Sequence, residues 1–137
     1  VQPSDFLISR ANTAELVARS VVVPEWAPSK LMMSDKIIRF VFSSHVVPEY
    51  VSLFNNSSCA RSYYLAVAGG TSGSMKNVSR NQIQSLAMPL PPANEQYRIV
   101  KKVDELVVLC DRLKERLKQT SGTLCHFADA IVEQATG

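Results

Sequence analysis

From Ile99 onward, apolar residues recur at alternating spacings of four and three: Ile99, Val103, Leu106, Cys110, Leu113, Leu117, Thr120, Leu124, Phe127 and Ile131. In heptad terms Val103, Cys110, Leu117, Leu124 and Ile131 occupy the a positions, and Ile99, Leu106, Leu113, Thr120 and Phe127 the d positions. Only Thr120 interrupts the apolar stripe, which is the seam of a coiled coil. A helix of some 40 residues is about 60 Å long, too long to bury that seam against the small domain the remaining residues make. The pattern therefore predicts a partner helix. Val100, Val107 and Leu109 widen the apolar face of the first turns and predict that this end also packs on the globular part. Thr120 and Gly122 weaken the middle by roughly 1 kcal/mol in propensity, which makes Ser121–Gly122 the place for a break, if one occurs.

The approach to this helix is legible too. Pro91 and Pro92 stop an extended apolar segment, Leu86–Leu90, and lead into the helix; Asn94 suits an N-cap, and Glu95 a first-turn acid facing the helix dipole. Upstream, Phe6–Ser9, Ser20–Val23 and Lys36–Ser43 are β-branched or aromatic runs bounded by polar residues or proline, and predict three strands. Between the first two, Ser9–Arg19 is polar and basic, suited to a loop or a short helical turn. Pro48 opens a segment in which Val47, Tyr50, Val51 and Phe54 repeat at helical spacing, and Ala60–Val67 predicts a second short helix. The run Gly69–Ser74 (GGTSGS) ends it in a turn. Ser79 and Gln82 have capping-box spacing for a third short helix. The expected class is α+β: a small mixed α/β domain over residues 1–92, then a long coiled-coil helix over residues 93–135.

Charge and chemistry narrow the function. A 137-residue chain that is 46% apolar and 20% charged is neither a disordered tail, a collagen-like repeat nor a disulfide miniprotein. No run approaches the roughly 18 apolar residues of a membrane span, and no basic-then-apolar signal peptide opens the chain. Cys59, Cys110 and Cys125 are odd in number and lack CxxC spacing, so reduced thiols and a cytoplasmic location are expected. The chain begins at Val1 and enters a strand-like run almost at once, as a fragment would. A net charge of +3 permits a nucleic-acid partner without requiring one. The sequence has no P-loop, no GxGxxG after a strand and no HExxH. His45 and His126 lie on different predicted elements, Cys59 has no obvious partner base, and Asp5, Glu15 and Asp35 lack a nuclease-like spacing with lysine. No catalytic residue, metal site or cofactor is expected.

Two stretches then come together. DFLISRANTAELVARSVVV with LMMSDKIIRF, and later GGTSGSMKNVSRNQIQSLAMPLPPANEQYRIVKKVDEL, closely resemble the DNA specificity subunits of type I restriction–modification systems. The glycine loop (Gly69–Ser74), the S-x-x-Q helix start (Ser79–Gln82), the apolar PLPP turn (Met88–Pro92) and the E-Q-x-x-I-V helix start (Glu95–Val100) occur in the family's order. The family pattern holds two target recognition domains, each followed by a helix, the helices pairing antiparallel as a spacer. This sequence resembles one recognition domain without its N-terminal part, plus one spacer helix. Where the family's "LVG" turn has glycine, this chain has Ala18, which demands a relaxed backbone there.

The resemblance implies a protein that makes and breaks no bonds. It reads one half of a bipartite sequence in double-stranded DNA and docks methyltransferase (modification) subunits, which supply the S-adenosylmethionine chemistry, and through them the restriction/translocase subunit. The residues suit that role. Arg10 and Asn12, in the polar segment after the first strand, are able to form bidentate contacts to guanine and adenine edges. Lys76, Asn77 and Arg80 follow the glycine loop, where cations and backbone N–H groups meet phosphates. Arg61 and Tyr63 are further candidates. For each, the alternative is a solvated or structural side chain. With its partner helix absent, the chain is expected to form a homodimer through its seam. The rival reading is a protein-interaction module that dimerises through the coiled coil and never touches DNA, favoured by the modest net charge.

Overall fold

A computed structural model describes residues 1–28, 30–70 and 75–136, with side chains as far as Leu124 of the last helix. The chain divides into two compact units, Val1–Val100 and Lys101–Gly137, and its elements make an α+β fold.

The first unit is built on a three-stranded antiparallel sheet. β1 (Phe6–Ser9) lies at the centre, with β3 (Ser20–Val22) on one side and β4 (Ile37–Phe40) on the other. Phe6 faces Val22 across one ladder and Phe40 across the other. The alternation of β1 turns Phe6 and Ile8 into the core, and Leu7 and Ser9 to the other face. Phe6 meets Phe40 and Phe42 edge-on, with ring centroids 6.4 and 5.0 Å away, the geometry favoured by the ring quadrupole. Against this face pack α1 (Pro48–Asn55) and α2 (Ser58–Val67), which bury Val51, Ala60 and Tyr64. Val17, Ala18, Val78 and Ile83 complete the core.

The three expected strands are present, the first with its expected bounds and the other two shorter. β4 stops at Phe40 rather than Ser43 because its partner β1 begins at Phe6, directly opposite, and Val41 beyond it is exposed. Val23 leaves the ladder ahead of Pro24, although its N–H still donates to the Asp5 carbonyl at 2.9 Å. The Ser9–Arg19 segment is more than a loop: it contains β2 (Ala11–Asn12), paired with β5 (Lys76–Asn77) from far along the chain. α2 starts two residues before Ala60, with the Ser57 hydroxyl accepting from the Ala60 N–H. The capping box of α3 (Arg80–Gln84) forms as expected, Ser79 and Gln82 each accepting from the other's backbone N–H. Leu86–Leu90 joins no strand.

α4 (Ala93–Thr136) corrects the expected N-cap. It starts one residue before Asn94, because the Pro92 carbonyl already accepts from the N–H groups of Glu95 (2.8 Å) and Gln96 (3.1 Å); Asn94 is thus inside the helix and not its N-cap. The helix runs unbroken through Ser121–Gly122, where the Thr120 and Thr123 hydroxyls donate back to carbonyls four residues earlier. Ile99 and Val100, at the end of the first unit, are half-buried, and Val107 and Leu109 are each about half exposed. Of the seam, Leu106, Cys110, Leu113, Leu117 and Leu124 are exposed, Leu117 to 70%. The side chains of Cys125, His126, Phe127 and Ile131 lie outside the described residues.

The E-Q at the start of α4 has a physical explanation. Gln96 is fully buried and its amide is fully employed. Its Oε1 accepts from the Val47 N–H at 2.8 Å, and its Nε2 donates to the carbonyls of Pro91 (2.7 Å) and His45 (3.0 Å). One side chain therefore joins the PLPP turn, the first turn of α4 and the entry to α1. Tyr50 adds a hydroxyl donated to the Pro89 carbonyl at 2.8 Å.

Candidate nucleic-acid interface

The antiparallel pairing of β2 with β5 places Ala11 opposite Asn77 and Asn12 opposite Lys76. The Arg10 carbonyl accepts from the Val78 N–H at 2.9 Å, and Gly69 exchanges both main-chain bonds with Asn77 at 2.8 and 2.9 Å. Residues some 65 positions apart are thereby gathered on one short ribbon, with Arg80 opening the helix that follows. Arg10, Asn77 and Arg80 are exposed, and Asn12 and Lys76 half-buried.

Local chemistry holds this ribbon in shape. Gly70 has φ +133, and a Cβ there would stand 2.5 Å from the Met75 carbonyl oxygen, so only glycine allows the chain to pass this close. Lys76 Nζ donates to the Gly70 carbonyl at 3.2 Å. Asn12 Oδ1 accepts from the Thr13 N–H at 2.8 Å, which anchors the side chain, and among the described residues its amide N–H groups have no partner. Arg10 makes no ion pair among the described residues. Asp5 pairs with Arg39 instead, at 2.9 Å; the Gln2 N–H, and then Arg39, hold its carboxyl below the usual range.

Arg61 and Tyr63 are used inside the fold. The Arg61 guanidinium donates to the carbonyls of Val17, Ala18 and Asn55, with its Cζ 4.9 Å from the centroid of the Tyr64 ring. Burial, and then the nearby charge of Arg19, lower its affinity for its proton. The Tyr63 hydroxyl donates to the Gln82 carbonyl at 2.8 Å. Beside Arg61, Asn55 was not foreseen: it is buried, its Nδ2 donates to the Ala18 carbonyl at 2.7 Å, and its Oδ1 accepts from the Tyr64 hydroxyl at 2.8 Å. Burial pushes that hydroxyl up to about 12. An asparagine at the last position of a helix carries no sequence signal that separates it from a solvated one. Ala18 sits at the centre, fully buried and with φ 57. Where a relaxed backbone was expected at Ala18, the chain instead takes a left-handed conformation, adopted by a residue with a Cβ.

What the ribbon offers is donors: two guanidinium groups, one ammonium and two amides. It is suited to phosphate oxygens and base edges, and carries no side chain placed as a nucleophile or general base. Cys59 and Cys110 are free and exposed. Among the described residues no three His, Cys, Asp or Glu side chains gather as for a metal, and no helix is long and apolar enough to cross a membrane. An apolar hollow beneath the sheet, about 230 Å³, is lined by Phe6, Phe40, Phe42, Val51 and Leu86 among others and presents no reactive group.

Comparison with known proteins gives this geometry a context. No family model matches the chain. It is 35% identical over 136 residues to the type I restriction enzyme EcoEI specificity subunit of Escherichia coli, a match that takes in 98% of this chain and 23% of that protein. It is 28% identical over 136 residues to the EcoKI specificity subunit of Escherichia coli strain K12, covering 98% of the chain and 29% of that protein. The EcoAI specificity subunit of Escherichia coli is 35% identical over 77 residues, 55% of the chain and 13% of that protein. The chain thus spans about a quarter of the length of the first two relatives. Matched along nearly its whole length by these subunits, it belongs to the family of type I restriction enzyme specificity subunits.

Proposed function

We propose that this chain is a DNA-reading part of a type I specificity subunit. Residues 1–92 form a partial target recognition domain that reads one half of a bipartite site in double-stranded DNA, and residues 93–135 are the spacer helix. Arg10 and Asn12 read base edges; Lys76, Asn77 and Arg80 hold phosphates. Arg61 and Tyr63 are spent on main-chain carbonyls inside the domain. The role is non-catalytic and cytoplasmic: the protein positions methyltransferase subunits, and through them the restriction/translocase subunit. The observation that carries the reading is the β2–β5 ladder, which unites two groups of donors from opposite ends of the domain.

The exposed seam of α4 supports a second part of the proposal. Leu113 is half exposed and Leu117 more so, and a stripe of this kind is stable in water when covered by a like helix. In isolation the chain forms a homodimer through it, antiparallel and two-fold. The same seam supports the rival reading, a dimerising module that never meets DNA.

The deciding experiment is duplex binding by wild type and by Arg10→Ala. A base-reading Arg10 loses roughly 1–3 kcal/mol on the cognate half-site and little on random duplex when truncated. Equal weakening on both duplexes reduces Arg10 to a phosphate contact, and absence of salt-dependent binding by wild type leaves the dimerising module.

A further inference from the structure

We infer that Arg61 is a positioning residue for DNA reading: without touching DNA, it sets where Arg10 and Asn12 stand. This rests on the function proposed above. Arg10 and Asn12 stand on one segment, Ser9–Arg19. Its base is closed by two main-chain bonds, the Ala18 N–H to the Ser9 carbonyl (2.7 Å) and the Ser9 N–H to the Arg19 carbonyl (3.0 Å). Ser9 is the residue immediately before Arg10, so whatever fixes Ala18 fixes the root of β2.

Ala18 does not hold its own conformation. A residue with a Cβ at φ 57 is disfavoured, and such a backbone persists where its surroundings over-determine it. Here the surroundings are Arg61 and Asn55. Arg61 clamps the consecutive carbonyls of Val17 and Ala18 with its two terminal nitrogens, and Asn55 takes the Ala18 carbonyl a second time. Tyr64 closes the cycle, its ring against the guanidinium and its hydroxyl on Asn55. The planar fork of arginine fits two adjacent carbonyls as lysine does not. Its Nε is buried with no hydrogen-bond partner, and the described ion pairs do not include it. The guanidinium is thus half-buried on main-chain carbonyls, with no acidic partner among the described residues, so what it supplies is geometry: a fork that fixes two adjacent carbonyls.

The test uses the full chain, a duplex enriched from a randomised pool by binding to wild type, and an unselected duplex of equal length. In Arg61→Ala, amide exchange should accelerate at Ala18 and at Val78, whose N–H is bonded to Arg10, while Leu7 and Ile8 stay protected. Preference for the selected duplex should fall roughly tenfold, with affinity for the unselected duplex and the salt slope unchanged. In an Arg10→Ala, Asn12→Ala background the Arg61 substitution should cost no further preference. Arg61→Lys, which keeps the charge and loses the fork, should behave like the alanine variant and serves if that variant does not fold. A salt slope shallower by about 0.9 would make Arg61 a phosphate ligand, and uniformly faster exchange would make it a general stability residue; either overturns the inference. So does unchanged preference in a variant whose wild type discriminates, whereas a wild type that binds neither duplex overturns the DNA reading itself.

Discussion

The side-chain carbonyl of Gln96 accepts a hydrogen bond from the main-chain N–H of Val47 at 2.8 Å, joining the first turn of the long helix to the residue that caps α1. Both partners are buried, so removing one strands the other. Gln96→Ala should cost roughly 1–3 kcal/mol, read by urea unfolding of the chain. Gln96→Glu should cost more, because a carboxylate has no donor for the Pro91 and His45 carbonyls it would face. A glutamate variant as stable as wild type would mean that the two bonds donated by Nε2 contribute nothing.

Ala18 gives a prediction that separates two substitutions. Glycine relieves the left-handed strain, worth about 1–2 kcal/mol, but loses a buried methyl and gains freedom in the unfolded chain. Ala18→Gly should therefore stay within about 1 kcal/mol of wild type. Ala18→Val combines a β-branched residue at φ 57 with overpacking of a fully buried site and should lose at least roughly 2 kcal/mol. Thermal unfolding of the pair decides it: equal melting temperatures would show that the turn is not constrained.

Lys76 and Arg80 should govern the salt dependence of duplex binding. Replacing both with alanine should flatten the slope of log affinity against log salt by up to about two, near 0.9 for each phosphate no longer neutralised. An unchanged slope would place both side chains away from the DNA.

The seam predicts its own assembly state. Leu113→Asp or Leu117→Asp puts a carboxylate into the stripe and should convert the homodimer to monomer or make it insoluble. Light scattering on wild type checks the premise, since a wild-type monomer would remove it.

What could be read from the sequence divides by the distance over which each signal acts. Phe6–Ser9, the helix from Pro48, the Ser79–Gln82 capping box and the long heptad helix were all legible, because periodicity and capping act within a few residues. β2 and β5 were not. Two residues cannot display a strand period, and their pairing depends on a partner some 65 positions away. The candidate donors were found one by one from residue type, but their meeting on one ribbon was not. Arg61 shows the converse failure: an arginine on a polar helix looks like a free donor until Val17 and Ala18 are placed beneath it. Asn94 misled because the Pro92 carbonyl accepts the helix's first bonds, a role that needs no capping side chain.

The ladder between β2 and β5 is made by peptide groups, and peptide groups are the same whatever residue carries them. Gly69 and Asn77 exchange main-chain bonds, and Val78 donates to the carbonyl of Arg10, so the side chains at 10 and 77 take no part in the pairing that displays them. Such a ribbon works like a printing frame whose type can be reset: exchanging those letters alters the message while the frame that holds them stays locked.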